Sequence, residues 1–321
     1  MPRKLIVSLP RITAQQRGAI ASAAARQSFE ALFFSSNADA LPHLNDAEII
    51  FGVGTELTRS APRLRWFCTP YAGVEPYLAD DVFASEQVIL SNSSGAYGTT
   101  IAEHIVMVTL ELMRRRQEYA AIVARRAWTR DLRIHAIRNS RITLLGTGDI
   151  GREAAIRLRA FSPAALIGVN RSGKNPGQLF DRVVTRDQID GLLPETDVLI
   201  LSLPSTRETD GLISAARLAL LPRNAYVINV GRGNAIDQAA LEAMLRSDRL
   251  AGAALDVFDQ EPLPADSTLW DCPRLIVTPH VAGNITLDYT LEKIVALFLE
   301  DFENYCAGRP LLRQVDRTIG Y

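Results

Sequence analysis

The 321-residue sequence is short of net charge and of long apolar runs, and each shortage excludes a class of protein. Its 35 basic and 36 acidic residues leave a net charge of −1, so no overall field would attract nucleic acid. The one short basic run, Arg114-Arg115-Arg116, ends an apolar stretch and is better explained as a solvated helix end than as a nucleic-acid site. No apolar stretch approaches the length of a membrane span, so we expect no membrane partner.

Cysteine is also scarce. Cys68, Cys272 and Cys306 are odd in number and lack the spacing of metal ligands, so we expect free thiols and no bound metal. Free thiols are typical of a reducing compartment. Residues 1–4 precede only a short apolar segment, not the longer core of a signal peptide, and a cytoplasmic protein is therefore predicted.

The sequence is 47% hydrophobic, which is enough to fill the cores of two domains. Short apolar runs alternate with helical segments, as is typical of α/β proteins with parallel sheets. The first part has predicted strands at residues 5–7, 31–34, 48–51, 64–68 and 88–90. The second part has them at residues 141–145, 165–169, 182–184, 198–202, 225–230, 252–257 and 274–278. Most of these are continuous apolar runs, which suit parallel strands buried on both faces.

Three helical segments carry clear signals. Residues 100–103, Thr-Ile-Ala-Glu, match a capping box at the start of a helix. Residues 114–139, rich in arginine and alanine, predict a helical excursion that a compact monomer would not need. A final amphipathic helix is predicted from about Thr286, ended by Gly308 and Pro310. The predicted buried faces are Ile101, Ile105, Val108 and Leu112 in the first helix, and Leu291, Ile294, Val295, Phe298 and Phe302 in the last.

The most informative motif is Gly146-Thr147-Gly148-Asp149-Ile150-Gly151, between a predicted strand and a helix-like stretch. In a dinucleotide-binding turn the first glycine permits a tight turn, the second lets the backbone approach a pyrophosphate, and the third brings the helix close to the strand. N–H groups at the helix N-terminus would hold the pyrophosphate. Simple tight turns also show this pattern, but the flanking segments favour a dinucleotide site. Because its strand begins only at residue 141, another domain is built first.

The residues after the next predicted strand indicate which nicotinamide dinucleotide is bound. An acidic residue there would hold the ribose 2′-hydroxyl of NAD. This chain has Asn170-Arg171-Ser172-Gly173-Lys174 instead, without a carboxylate. Arg171 can pair with a 2′-phosphate, Ser172 can donate a hydrogen bond and Lys174 adds positive charge. An ordinary polar turn is the alternative, but NADP(H) is predicted in preference to NAD(H).

Three reactive side chains follow late predicted strands: Arg232 between two glycines, Glu261 before a proline, and His280 after Thr-Pro. Ligands in open α/β sheets bind beyond the carboxyl ends of the strands, so these side chains could converge. The arginine would bind a substrate carboxylate and polarise the neighbouring carbonyl, and the histidine would exchange a proton with the carbonyl oxygen. The glutamate would stabilise the protonated histidine and fix its tautomer. The plainer interpretations are a strand end, a surface acid and a loop histidine.

The other three histidines are given no catalytic role. His43 and His135 are predicted to be surface residues, and His104 is predicted to pack within a helix. Proton transfer is therefore assigned to His280.

With these residues considered, the sequence resembles the D-2-hydroxyacid dehydrogenase family over nearly its whole length. The motifs that carry the resemblance occur in the family's order: residues 71–75 (Tyr-Ala-Gly-Val-Glu), 95–112, 146–151, 203–204 (Leu-Pro), 229–233 (Asn-Val-Gly-Arg-Gly), 255–262 and 270–283. The implied fold is α/β, with two Rossmann-like domains of doubly wound parallel sheets. The cofactor domain would be inserted into a flavodoxin-like substrate domain.

The resemblance implies domain boundaries as well. Residues 1–97 with 285–321 would form the substrate-binding domain, and residues 98–284 the NADP-binding domain. Residues 114–139 resemble the family's dimerisation arm, so a homodimer is expected. Two chain crossings between the domains would make a hinged cleft that excludes water on closure.

The resemblance also assigns the site residues. Arg232 would bind and polarise the substrate, and His280 would be the general acid/base, paired with Glu261. The substrate site would comprise Tyr71, Ala72, Gly73, Val74, Arg232 and His280, with backbone amides of residues 72–74 holding the substrate carboxylate. The cofactor site, from motif and resemblance together, would comprise Thr100, Gly146, Thr147, Gly148, Asp149, Ile150, Gly151, Asn170, Arg171, Ser172, Lys174, Leu203, Pro204, Ser205, Val230, Gly231, Arg232, Asp256, His280 and Gly283. Among these, Asp256 would bind the nicotinamide carboxamide.

The predicted function is NADPH-dependent reduction of a small 2-keto acid to the D-2-hydroxy acid. Relatives acting on formate resemble one another in pairing the histidine with glutamine, and Glu261 argues against that activity. Two alternatives stay open: a dinucleotide-sensing corepressor-like binding protein, and an oxidoreductase of the same family acting on another acidic substrate such as phosphite. Glyoxylate, hydroxypyruvate, pyruvate and branched keto acids all remain candidate substrates.

Overall fold

The computed structural model describes residues 3–321, in which twelve strands form two separate parallel sheets. The chain divides into two compact units, one built from the chain up to Ala96 together with Ile285–Tyr321, the other from Tyr97–Asn284. The strands are β1 (Arg3–Ser8), β2 (Phe29–Phe34), β3 (Ala47–Gly52), β4 (Trp66–Cys68), β5 (Ile89–Ser91), β6 (Arg141–Leu145), β7 (Ala165–Val169), β8 (Arg182–Val184), β9 (Val198–Leu201), β10 (Tyr226–Asn229), β11 (Gly252–Leu255) and β12 (Leu275–Val277). The α-helices are α1 (Ala14–Arg26), α2 (Asn37–Ala40), α3 (Thr55–Arg59), α4 (Gly98–Met113), α5 (Arg116–Ala124), α6 (Asp149–Arg159), α7 (Ile189–Leu192), α8 (Ala215–Leu220), α9 (Gln238–Arg246) and α10 (Asp288–Cys306).

The first unit is a five-stranded sheet in the order β2-β1-β3-β4-β5, with every pair parallel. This is the flavodoxin-like order, whose connections reverse direction between β1 and β3. The predicted buried face of the last helix, α10, is confirmed. Phe298 stacks on Phe51 with ring centroids 4.2 Å apart and lies 5.3 Å from Trp66, so an aromatic cluster seals this helix onto the sheet.

The second unit is a seven-stranded parallel sheet in the order β12-β11-β10-β9-β6-β7-β8. Read from β8, this is the dinucleotide-binding order, with the reversal between β6 and β9. The strands of both units lie where the apolar runs predicted them, within a few residues at each end. The predicted fold class, α/β with doubly wound parallel sheets, is confirmed.

The predicted capping box at residues 100–103 is wrong. Helix α4 begins at Gly98, so Thr100 lies inside the first turn and cannot cap it, and the N-cap residue Tyr97 makes no side-chain cap. The carboxylate of Asp149 instead accepts the N–H of Gly98, at 2.7 Å. A partner 51 residues away thus replaces the local cap. The predicted apolar face of α4 is confirmed, because all four of its residues are buried.

The excursion predicted over residues 114–139 is helical only in part. Helix α5 ends at Ala124, and Arg126 adopts a left-handed conformation with φ 56°. The N–H groups of Arg126 and Ala127 bond to the carbonyls of Val123 and Ile122, which closes the helix end. No helix follows among the residues up to Asn139, and the side chain of Trp128 is 93% exposed.

All three cysteines are free thiols, as predicted. Cys68 and Cys272 are buried, and burial raises the pKa of Cys68 to about 12. Over residues 3–321 no group of three or more His, Cys, Asp or Glu side chains is arranged to hold a metal ion. Within the same residues no helix combines the length and apolar character needed to cross a bilayer.

Candidate active site

The three glycines of the 146–151 turn have different surroundings. Gly146 has φ 100°, and a Cβ atom there would lie 2.8 Å from the Ser202 carbonyl oxygen. A Cβ at Gly151 would overlap the Gly146 carbonyl oxygen, so only glycine lets helix α6 start this close to β6. A Cβ at Gly148 would meet nothing within 4 Å. The turn is therefore tight at its first glycine, closely packed at its third and open at its second, as a bound pyrophosphate would require.

The turn lies where a nucleotide site is expected in such a sheet. It follows β6, the strand at which the sheet order reverses, and it leads directly into α6. The Gly146 N–H bonds to the Val169 carbonyl at 2.9 Å, which fixes the turn beside the end of β7. The residues present therefore fit a dinucleotide, with its pyrophosphate at the α6 N-terminus.

Asn170 organises the loop predicted to read the ribose. Its Oδ1 accepts the N–H groups of Ser172 (3.1 Å) and Gly173 (2.7 Å). Its Nδ2 donates to Thr147 Oγ1 (2.6 Å) and to the Lys174 carbonyl (2.9 Å). The amide is thus used by the loop and by the glycine turn. Arg171, Ser172 and Lys174 are exposed on the loop that it shapes.

Arg232 is held by the two glycines beside it. A Cβ at Gly231 would lie 2.6 Å from the Leu203 carbonyl oxygen, and one at Gly233 would overlap the Phe258 backbone. The Asn229 side chain accepts the Gly231 N–H at 3.0 Å and donates to the Arg232 carbonyl at 2.9 Å. The backbone of Arg232 is therefore fixed between two neighbouring loops, which a mere strand end does not need.

Glu261 and His280 form a direct pair. Glu261 Oε2 lies 2.7 Å from His280 Nδ1, and Glu261 Oε1 accepts the Phe258 N–H at 2.9 Å. The glutamate is thereby oriented by the same segment against which Gly233 packs. The side chains of His280 and Glu261 are 50% and 34% exposed, so the imidazole is accessible. A carboxylate on Nδ1 places the exchangeable proton of a neutral imidazole there and leaves Nε2 for a substrate.

Asp256 holds the loop that carries His280. Its buried carboxylate accepts the Thr278 hydroxyl at 2.6 Å and the N–H groups of Val281 (2.9 Å) and Ala282 (3.0 Å). Its backbone carbonyl accepts the His280 N–H at 2.9 Å. Asp256 therefore fixes both ends of the histidine loop. This function and the Thr278 hydroxyl were missed from the sequence, where the only signal was an acid at the end of a buried strand.

The remaining predicted cofactor residues lie around these loops in the second unit. Val230 follows β10 and donates its N–H to the Leu201 carbonyl at 3.0 Å. Ser205 Oγ accepts from the Asn234 side chain at 3.1 Å, and the Pro204 carbonyl accepts the Thr209 hydroxyl at 2.6 Å. The others are Thr100 in the first turn of α4, Leu203 against Gly231, and Gly283, where an added Cβ would lie 3.1 Å from the Ile101 side chain.

Four of the six predicted substrate residues, Tyr71, Ala72, Gly73 and Val74, lie in the first unit, in the loop after β4. Tyr71 has a 42% exposed side chain, whereas Val74 is 1% exposed. Among residues 3–321 the structure has no acceptor for the N–H groups of Ala72, Gly73 and Val74. Three consecutive backbone donors without an acceptor are a feature that an anionic ligand could satisfy.

The other histidines are placed as follows. His43 is exposed, as predicted, and stacks on Phe34 with centroids 5.0 Å apart. The surface prediction for His135 is wrong, because its N–H bonds to the Met113 carbonyl and its ring nitrogen to the Tyr226 hydroxyl, which leaves it half-buried. His104 packs within α4, as predicted, and burial lowers its pKa.

Comparison with known proteins gives a consistent result. Residues 106–282, more than half of the chain, match the family model described as D-isomer specific 2-hydroxyacid dehydrogenase, NAD binding domain. The glyoxylate/hydroxypyruvate reductase A of Salmonella newport is 36% identical over 225 residues, which are 70% of each chain.

Solved structures are similar over the whole chain. A D-isomer specific 2-hydroxyacid dehydrogenase family protein from Aeromonas salmonicida superposes with a TM-score of 0.87 at 31% identity, covering 99% of this chain and 100% of that one. The NADPH-dependent glyoxylate/hydroxypyruvate reductase from Sinorhizobium meliloti, in complex with NADP and sulfate, gives 0.82 at 28% identity and the same coverage.

Proposed function

Since the chain belongs to the D-isomer specific 2-hydroxyacid dehydrogenase family, we propose that it reduces a small 2-keto acid to the D-2-hydroxy acid with NADPH. It is an oxidoreductase of that family, and its glycine turn suits a nicotinamide dinucleotide. The observation that carries the proposal is the 2.7 Å Glu261–His280 pair, oriented by the segment against which the Arg232 loop packs.

In this proposal Arg232 binds the substrate. Its guanidinium pairs with the keto-acid carboxylate and polarises the adjacent carbonyl, whose oxygen gains negative charge during reduction. In the first unit, the amides of residues 72–74 are a further candidate for binding a substrate carboxylate. Because the backbone of Arg232 is fixed on both sides by glycine contacts, the side chain starts from a rigid base.

His280 supplies the proton. With Nδ1 bonded to Glu261, the protonated imidazole donates from Nε2 to the carbonyl oxygen, and the glutamate stabilises its positive charge. In the reverse reaction the neutral imidazole accepts that proton. The reduced nicotinamide supplies the hydride when bound, and the protein supplies orientation and electrostatics.

The preference for NADP(H) is also part of the proposal. The residues that would hold the 2′-phosphate are Arg171, Ser172 and Lys174, all exposed on a loop without a carboxylate. Two proteins of similar structure are described with this cofactor: the glyoxylate/hydroxypyruvate reductase from Sinorhizobium meliloti in complex with NADP, and a D-isomer specific 2-hydroxyacid dehydrogenase from Xanthobacter autotrophicus in complex with NADPH. The cofactor bound in these two similar structures supports the proposed preference of this chain for NADP(H).

The catalytic assignment is tested with glyoxylate, hydroxypyruvate, pyruvate and branched keto acids, following NADPH oxidation spectrophotometrically. His280→Ala should lower the rate about 10²–10⁴-fold. His280→Asn is the sharper variant, because asparagine tolerates the left-handed conformation of this residue, φ 52°. His43→Ala, at an exposed histidine of the first unit, is the matched control and should leave the rate unchanged. An unchanged rate in both His280 variants would refute the assignment.

Cofactor choice is tested by the ratio of kcat/KM for NADPH to that for NADH. The wild type should favour NADPH, and Arg171→Ala should lower the ratio about tenfold or more, since one charge-assisted contact is lost. Arg223→Ala is the control, because this exposed arginine precedes β10 at the amino ends of the strands. Equal use of both cofactors, unchanged in Arg171→Ala, would contradict the preference.

The stereochemistry of the product and the competing functions can be tested with the same purified protein. Chiral chromatography of the hydroxypyruvate product should give the D-isomer only. A phosphite arm in the oxidative direction tests the alternative substrate. Pulldown with and without NADP(H) tests a corepressor-like role, which would be favoured by partner capture without turnover.

A cytoplasmic homodimer completes the proposal. The exposed apolar side chains of Val123 (69%) and Trp128 (93%) in the arm of residues 114–139 support association through that arm. Light scattering should give a dimer for the wild type and a smaller species for Trp128→Glu.

A further inference from the structure

We infer that Asn92 is a positioning residue for substrate binding, which acts by orienting the Gly73 N–H toward the substrate carboxylate. This inference rests on the proposed function. It concerns the loop of residues 69–74 after β4 and the loop of residues 91–94 after β5, both within the first unit.

The second loop bonds to the carbonyl groups of the first. Ser93 Oγ donates to the Thr69 carbonyl at 3.0 Å, and the Ser93 N–H donates to the Tyr71 carbonyl at 3.0 Å. Asn92 Nδ2 donates to the Ala72 carbonyl at 2.8 Å. Three carbonyl oxygens of the substrate loop are therefore directed toward residues 92–93.

Peptide geometry converts this into an orientation of the N–H groups. The Ala72–Gly73 peptide is trans, and in a planar trans peptide the carbonyl and the N–H point in opposite directions. Fixing the Ala72 carbonyl therefore fixes the Gly73 N–H on the opposite side of the loop. In the same way the Ser93 N–H, through the Tyr71 carbonyl, fixes the Ala72 N–H.

The N–H groups so oriented have no acceptor among the described residues, as noted above for Ala72, Gly73 and Val74. Val74 is 1% exposed, and a buried donor without a partner destabilises a fold unless a ligand or water satisfies it. An anion is a ligand that neighbouring backbone N–H groups without acceptors can bind.

Asn92 is itself held so that only one orientation of its amide is favourable. The residue is 6% exposed. Its Oδ1 accepts the Ser94 N–H at 3.1 Å, which leaves Nδ2 directed at Ala72. Its backbone N–H donates to the Arg313 carbonyl at 3.3 Å, and the Arg313 guanidinium lies 3.2 Å from the buried Asp301 carboxylate. The amide thus belongs to a rigid assembly.

The experiment measures KM and kcat for glyoxylate and for its methyl ester, and KM for NADPH, in the wild type and in Asn92→Ala. Asn92→Ser is a second variant, since serine can still accept the Ser94 N–H but is too short to reach Ala72. Asn304→Ala is the control, because this asparagine of α10 bonds only at the surface, to Arg309. Loss of one oriented donor to a carboxylate should raise KM for glyoxylate about tenfold.

The supporting result is a rise in KM for glyoxylate, with a smaller effect on the uncharged ester, a kcat within about threefold and an unchanged KM for NADPH. An unchanged KM for glyoxylate in both variants overturns the inference. A parallel rise in KM for glyoxylate, ester and NADPH, with a fall in melting temperature, also overturns it, because that pattern is general loosening. If the wild type reduces no keto acid, the proposed function fails instead, which the same assay shows first.

Discussion

Removing the Asp256 carboxylate should destabilise the second unit and disable His280 together. This buried group accepts three hydrogen bonds, from the Thr278 hydroxyl and from the N–H groups of Val281 and Ala282. The three donors bracket His280 in the chain. Without the carboxylate these three donors lose their acceptor, although only the one on Ala282 belongs to a buried residue, and the loop that carries the histidine loses its anchor.

The number of bonds sets the magnitude. At about 1.5 kcal/mol for each bond to a charged acceptor, Asp256→Ala should lower the free energy of unfolding by about 4–5 kcal/mol. In a unit of this size that corresponds to a fall of about 10–15 °C in Tm. In Asp256→Asn the amide oxygen can still accept from Thr278 and Val281, but the NH2 group faces the Ala282 N–H. The free energy of unfolding should therefore fall by about 1.5–3 kcal/mol. Thr278→Val removes one donor and should cost about 1 kcal/mol.

Thermal unfolding and steady-state kinetics measured on the same samples test this series. Displacement of His280 by about 1 Å would lower kcat about 10²-fold, so Asp256→Ala should be slow even well below its Tm. Asp237→Ala is the matched control in the same unit, because this aspartate accepts only the Ala240 N–H as the cap of α9. It should lower Tm by a few degrees and leave kcat unchanged.

Two results would refute the reasoning. One is an Asp256→Ala protein that melts within about 2 °C of the wild type, since three lost bonds predict a much larger shift. The other is a series whose stabilities do not follow the number of bonds removed. A large loss of stability with a normal kcat would show that Asp256 contributes to folding and not to the orientation of His280.

Three further predictions follow from local geometry. Gly151→Ala should unfold the glycine turn and lower Tm, whereas Gly148→Ala, with open space around its Cβ, should keep Tm and weaken NADPH binding measured by fluorescence titration. In the native protein a thiol reagent at pH 8 should modify only Cys306, because Cys68 and Cys272 are buried and Cys306 is partly exposed. Burial raises the pKa of all three thiols, that of Cys68 to about 12, so the reaction of Cys306 should itself be slow. Rapid loss of all three thiols would contradict this. Burial lowers the pKa of His104 below its ordinary 6.5, so the unfolded chain binds more protons than the folded protein as the pH drops below 6.5, and the free energy of unfolding should fall. His104→Gln should therefore make the urea midpoint less dependent on pH between pH 5 and 8. A pH profile identical to that of the wild type would refute this.

The strands were predictable because their signal is local. Residues 198–201 are an unbroken apolar run, and all four are fully buried in the middle of a parallel sheet. The start of α4 was not predictable in the same way. A capping-box pattern at residues 100–103 is a local match, but the donor–acceptor pair that begins the helix joins Gly98 to Asp149. Hydrogen bonds between residues far apart in the sequence produce no local residue spacing from which they could be predicted.

The same division applies to the candidate site. Arg232, Glu261 and His280 could be selected because each follows a strand and has suitable chemistry. The pairing distance, the packing of Gly233 on Phe258 and the bonds of Asp256 depend on three strands being neighbours in the sheet. For the arm of residues 114–139 the local signal was misleading, because its composition favours helix whereas the left-handed conformation of Arg126 ends the helix early.

The backbone of His280 shows why the surrounding bonds matter. Its φ of 52° is left-handed, a conformation that costs a non-glycine residue about 1–3 kcal/mol and persists only where neighbours enforce it. Here the His280 N–H is bonded to Asp256, and the following two residues bond to the same carboxylate. The side chain of His280 bonds to Glu261, so the orientation of the proposed proton donor depends on a carboxylate that bonds to its loop and not to its ring. Substitutions at position 256 therefore report on catalysis through geometry, and their effects on kcat and on Tm should change together.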